Sequence, residues 1–108
     1  MDTGAGDRFR IDQSQAVLDG LKALLALARM LGRLGDVTAD LRQIKEQLET
    51  DPLAWGDPSR RYRQLGLVEC RGMGQHLLVH YAVSEEHRLV YVRGFHPMPG
   101  GVLDVGQG

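Results

Sequence analysis

The chain has 108 residues and a mass of 12.0 kDa, enough for one domain. With 43% hydrophobic and 25% charged residues it has an ordinary core to bury, which excludes wholesale disorder, a collagen-like fibre and a disulfide-built miniprotein. Thirteen basic and fourteen acidic side chains leave a net charge of −1, so any site for a polyanion has to be local.

Residues 1–7 are small and polar and are expected to form a flexible tail. Phe9-Arg10-Ile11 alternates apolar and polar residues, the pattern of a short strand. Asp12 or Ser14 then caps a first helix, in which Val17, Leu21, Leu24, Ala28 and Leu31 recur at helical spacing and Leu18 and Leu25 widen the stripe. Gly32 and Gly35 end it. Asp36 is the next cap candidate, and Val37, Leu41, Ile44 and Leu48 lie on one face of a second helix that stops before Asp51-Pro52. Two amphipathic helices joined by a short glycine-containing turn predict an αα-hairpin. Residues 51–64 are rich in turn signals and are expected to be irregular. Three short strands are expected over residues 65–71, 76–83 and 88–95, joined by Gly72-Met73-Gly74 and by Ser84-Glu85-Glu86-His87 into an antiparallel meander. The predicted fold class is α+β: a two-layer β-α-α-β-β-β domain whose N-terminal helical hairpin packs on a small antiparallel sheet.

Cys70 is the only cysteine, so neither an intrachain disulfide nor a thiolate zinc site is possible. The first residues carry no basic, apolar leader. The longest apolar stretch, residues 21–34, is interrupted by Lys22, Arg29 and Arg33 and is too short to span a bilayer. A cytoplasmic protein without a membrane partner is the expectation.

The polar chemistry is concentrated in the second half, where residues 55–98 hold six arginines, four acids and all four histidines. Strand alternation turns Val68, Cys70, Leu77, Val79, Tyr81, Val83, Val90 and Val92 toward the helices. The open face is then expected to carry Glu69, Arg71, His76, His80, Tyr91, Arg93 and Phe95, with His96 just past the last strand. Polar residues on a half-exposed sheet are ordinary surface. As a group, however, two guanidiniums that can grip phosphate, imidazoles that titrate near neutrality and a phenol that can stack on a base suit RNA chemistry. Arg60-Arg61-Tyr62-Arg63 is a basic run with one aromatic inside, and Trp55 is expected to plug the connection onto the domain.

The order of elements, the helix ending Leu48-Glu49-Thr50-Asp51-Pro52, and the two strands Val79-His80-Tyr81-Ala82-Val83-Ser84-Glu85-Glu86 and Leu89-Val90-Tyr91-Val92-Arg93-Gly94-Phe95-His96 resemble the RelE/ParE toxin superfamily over residues 8–97. Pro97, Pro99, Gly100 and Gly101 stop the sheet, and residues 98–108 are expected to form a second flexible tail. The resemblance implies the toxin of a type II toxin–antitoxin pair, held inactive by a cognate antitoxin and acting either on mRNA at the ribosome or, in the ParE branch, on DNA gyrase. Carried over by position, it implies a catalytic role for His96 and charged catalytic positions at Glu69 and Arg71. The residues of the open face themselves add His80 as the other candidate for proton transfer, Arg71 and Arg93 as phosphate clamps, Tyr91 as a group that holds a base and His76 as a supplementary charge, with no metal and no cofactor. The middle strand opens on His76-Leu77-Leu78, where ribonucleases of this kind carry an arginine, and Pro97 follows His96. The alternative is therefore a catalytically degenerate or ParE-like module acting through protein contacts. The leucine-rich first helix, apolar beyond one stripe, makes a homodimer a further expectation.

Overall fold

A computed structural model describes residues 8–104. The tail expected over residues 1–7, and residues 105–108 of the one expected at the other end, lie outside the described residues. Strand β1 (Arg10–Gln13) leads into helix α1 (Gln15–Met30), whose cap is Ser14: its side chain accepts the Val17 N–H at 3.2 Å. The helix ends in a Schellman motif. Gly32 takes the left-handed conformation (φ 73°), the Arg33 N–H reaches the Ala28 carbonyl at 2.8 Å, and the Gly32 N–H reaches Arg29. Helix α2 (Leu34–Thr50) starts two residues before Asp36, which instead sits in its first turn, 3.2 Å from the Arg33 guanidinium.

Helix α2 buries Val37, Asp40, Ile44 and Leu48. Three of these are the expected apolar stripe; Asp40 is not. Its carboxylate accepts the backbone N–H groups of Gln75, His76 and Leu77 at 2.8, 2.8 and 3.0 Å. A buried charge on a core-facing stripe is stable only with such partners. Here they tie the helix to the turn that opens the middle of the sheet.

The connection expected to be irregular is ordered. A short helix α3 (Pro52–Trp55) is followed by strand β2 (Asp57–Tyr62) and a 3₁₀ turn over Arg63–Leu65. The meander follows as β3 (Leu67–Met73), β4 (Leu77–Ser84) and β5 (Leu89–Pro97). The five strands lie in the order β1-β5-β4-β3-β2, antiparallel except for β1, which runs parallel to β5. The sheet is thus mixed, and one strand wider than the sequence pattern indicated. An edge strand reading Asp-Pro-Ser-Arg-Arg-Tyr has no apolar alternation to betray it, since only its last residue is partly buried.

Helices cover one face of the sheet, and there Leu77, Val79, Val83 and Val90 are wholly buried and Tyr81 nearly so. The Trp55 ring stacks on Tyr81 at 6.0 Å, and the Tyr81 hydroxyl donates to the Pro52 carbonyl at 2.5 Å. Burial lifts that hydroxyl far above its usual range, so it stays a neutral donor. Residues 98–104, expected as tail, fold back in turns instead and place Leu103 in the core at 1% exposure. No helix is long and apolar enough to cross a membrane among the described residues.

Candidate functional site

The uncovered face is set by pairing. Glu69 lies opposite Ala82 and Ala82 opposite Tyr91; Arg71 lies opposite His80 and His80 opposite Gly94. Directly paired residues share a face, so Glu69, Arg71, His80 and Tyr91 stand together on the side away from the helices.

A bulge in β5 completes the arrangement. Tyr81 pairs with Val92 but His80 pairs with Gly94, which leaves Arg93 as the extra residue. Two corrections follow from that one residue. Phe95, expected on the open face, is turned inward, paired with Val79 and packed against the core. His96, expected past the end of the sheet, lies within β5 opposite Leu78 and on the open face. Its ring centroid is 5.0 Å from that of His80. Gly94 makes room for this: a Cβ there would sit 3.2 Å from His96 Nε2, so the imidazole lies back over the bare backbone.

The unpaired Arg93 reaches across β4 to Glu69, at 3.5 Å. That pair is half in solvent and adds little stability; its effect is to fix two charges beside the imidazoles. Arg71 is exposed and engaged in no ion pair among the described residues. Glu69, Arg71, His80 and Arg93 line an open groove of about 560 Å³, walled on one side by Asp57, Pro58 and Ser59 of β2. That wall was missed because the strand supplying it was missed.

The remaining candidates lie apart. His76 is in the turn before β4 and lines a separate groove with Asp36, Asp40 and Gln43 of α2, off the open face. Its expected place on the open face is corrected accordingly; its backbone N–H is held by the Asp40 carboxylate in the turn before the strand. Tyr91 is on the open face but outside the groove lining, between Ala82 and Asp12 of β1. A second cleft of about 570 Å³, between the helices and β1, is lined by Phe9, Ile11, Leu21 and Leu41 and holds no histidine.

The electrostatics of the groove are uneven. Burial, then His96, then Arg71 push the His80 imidazole below its ordinary value of 6.5, against a smaller opposing pull from Glu69. Its Nε2 is shut off from solvent and has no hydrogen-bond partner among the described residues, which carries a desolvation cost. His80 is therefore neutral at pH 7. Its folded value is depressed, so acidification below about 6.5 protonates the unfolded chain first and removes stability until the folded value is reached. Arg71→Ala takes away one of the three lowering influences. The His80 value, followed by NMR titration of the imidazole, should rise toward the ordinary one while staying below it; an unchanged or lower value would contradict this electrostatic picture.

Among the described residues, no group of three or more His, Cys, Asp or Glu side chains is placed to hold a metal ion. Comparison of the chain with protein-family models, with curated proteins and with solved structures gave no match in any of the three.

Proposed function

We propose that the chain is a ribonuclease cutting single-stranded RNA by general acid–base chemistry, the toxin of a RelE/ParE-like toxin–antitoxin pair. The observation that carries this reading is the His80–His96 pair, 5.0 Å apart on the open face, with His80, Arg71 and Arg93 lining the groove and His96 beside it. His80, kept neutral, takes the proton of a ribose 2′-hydroxyl on Nδ1, since its Nε2 is shut off from solvent. The 2′-oxygen forms a bond to the adjoining phosphorus, and the bond from phosphorus to the 5′-oxygen breaks. His96, as the general acid, gives that oxygen its proton. Arg71 and Arg93 balance the charge on the crowded phosphate, and Glu69 holds Arg93 in place. The products are a 2′,3′-cyclic phosphate and a 5′-hydroxyl.

The test is purified protein with single-stranded RNA, with and without ribosomes, and chemical identification of the new ends. Cleavage with those ends is the expected result. Folded protein that leaves RNA intact under both conditions sinks this reading.

A second reading has its own observation. Met30, Leu31 and Leu34 at the helical turn are exposed, Met30 at 83%. Exposed apolar residues gathered in one place mark a protein contact. In this reading the chain acts through that contact, on DNA gyrase or another protein; a cognate antitoxin or a second copy of the chain would use the same surface.

Gly94→Ala separates the chemistry from the fold. The new methyl presses on the His96 ring, a flexible side chain, so stability should change by less than about 1 kcal/mol. Cleavage should fall by roughly tenfold as the imidazole shifts, because small displacements of a reacting group are costly. Thermal melting by circular dichroism and a cleavage time course check the two halves.

A further inference from the structure

We infer that the outer face of β2 is a nucleotide subsite, in which Tyr62 stacks on a base of single-stranded RNA and Arg60 holds an adjoining phosphate. The polymer's identity rests on the ribonuclease reading; the subsite itself rests on separate geometry.

Pairing places Arg60 opposite Glu69 and Tyr62 opposite Leu67, so both share the face of His80 and His96. Ser59 is the extra residue of a bulge in β2, and it lies in the groove wall just before Arg60. Neighbouring strands are about 4.8 Å apart and successive same-face residues about 6.6 Å apart along a strand, so Arg60 and Tyr62, two strands from His80 and one and two same-face steps along, stand about 12 and about 16 Å from it, within the span of a short single strand. Arg60 is engaged in no ion pair among the described residues. Its guanidinium lies 5.9 Å from the Tyr62 ring centroid, an arrangement that presents a cation and an aromatic face together. Cation plus ring on one ledge is the chemistry that binds unpaired nucleotides: every base has a π-face and every linkage a phosphate. Duplex bases are already stacked and cannot reach such a ring.

Edge strands also carry charge simply to discourage pairing with another sheet, and Arg61 tells the two roles apart. It pairs with Val68, so it belongs to the opposite face, and it lines a groove with Glu85 and Glu86 that Tyr62 also borders but Arg60 does not. Bulk charge or edge protection would make Arg60 and Arg61 equivalent; a subsite makes only Arg60 matter.

The experiment is fluorescence anisotropy with a single-stranded RNA carrying 2′-O-methyl groups throughout, which binds without being cut. Tyr62→Ala should weaken binding by about tenfold or more, and Tyr62→Phe should restore it, because stacking needs the ring and not the hydroxyl. Arg60→Ala should weaken binding and lower the slope of log K against log salt by about 0.7, the loss of one phosphate contact on a single strand. Arg61→Ala should stay within about twofold of the wild type. The inference is overturned if Tyr62→Ala and Arg60→Ala, both folded, bind like the wild type, if Arg60 and Arg61 variants weaken equally, or if duplex RNA competes as well as the single strand. Wild-type protein that binds as described but cuts no RNA leaves the subsite standing and removes the ribonuclease reading. Cleavage unaffected by loss of the subsite does the reverse.

Discussion

Replacing His96 by alanine should lower RNA cleavage by about 10²–10⁴-fold, the usual contribution of a positioned acid or base, while leaving the fold intact. His96 is exposed on β5 and takes no part in the core, so its removal belongs with surface substitutions that change stability by about 0.5 kcal/mol or less. His80→Ala should have an effect of the same order. On the proposed mechanism the two imidazoles serve one proton circuit, so the double variant should be little worse than either single one. The pH profile adds a directional test. His80 has to be neutral to accept a proton and its value is lowered, so the acid limb of the wild-type profile should fall below pH 6.5. In His96→Ala the residual activity should lose its acid limb at higher pH than the wild type does, because one of the groups lowering His80 has gone. Single-turnover cleavage rates across pH 5–8 measure both effects. Rates equal to the wild type in both single variants would remove these residues from the chemistry.

The largest stability effect should come from a residue far from that chemistry. Asp40→Ala strips the carboxylate from three backbone N–H groups at the 75–77 turn, one of them, that of Leu77, buried. A hydrogen bond to a charged acceptor contributes about 1.5–3 kcal/mol, and water can re-satisfy the two outer donors, so a loss of roughly 3–5 kcal/mol is expected. That is a large share of the ~5–15 kcal/mol that holds a domain together. Asp40→Asn keeps one acceptor oxygen and should lose less. Urea unfolding followed by circular dichroism decides it: a midpoint for Asp40→Ala close to the wild type would mean that the turn holds itself.

The helical hairpin, the inward faces of β3 and β4 and the α+β layering could be read from the chain because apolar residues recur there at periods of 3.6 and 2. What escaped was whatever broke a period for a local reason. Strand β2 was hidden because an exposed edge needs no apolar alternation. Asp40 was hidden because an acid on a core stripe reads as a gap until its partners are found at the start of β4. Phe95 and His96 were assigned to the wrong places by a single inserted residue, Arg93, since a bulge reverses every facing beyond it. The Gly94 that follows Arg93 was the available signal: a glycine inside a strand pattern marks a bulge or a close approach. The polar group on β3 and β4 was legible as residue types. Its meeting with His96 was not, because it depends on that bulge.

The parallel pairing of β1 with β5 bears on how the molecule comes into being. The first strand of the chain finds its neighbour only in the last, with the whole helical hairpin and meander between them. Closing so long a loop is entropically expensive and slow compared with zipping adjacent hairpins. During synthesis β1 has no partner until β5 has been made, and β5 is also the strand that brings Arg93 and His96 to the open face. The pair of imidazoles and the closed sheet therefore arrive together, once β5 has been made: a nascent chain stopped short of β5 would have neither.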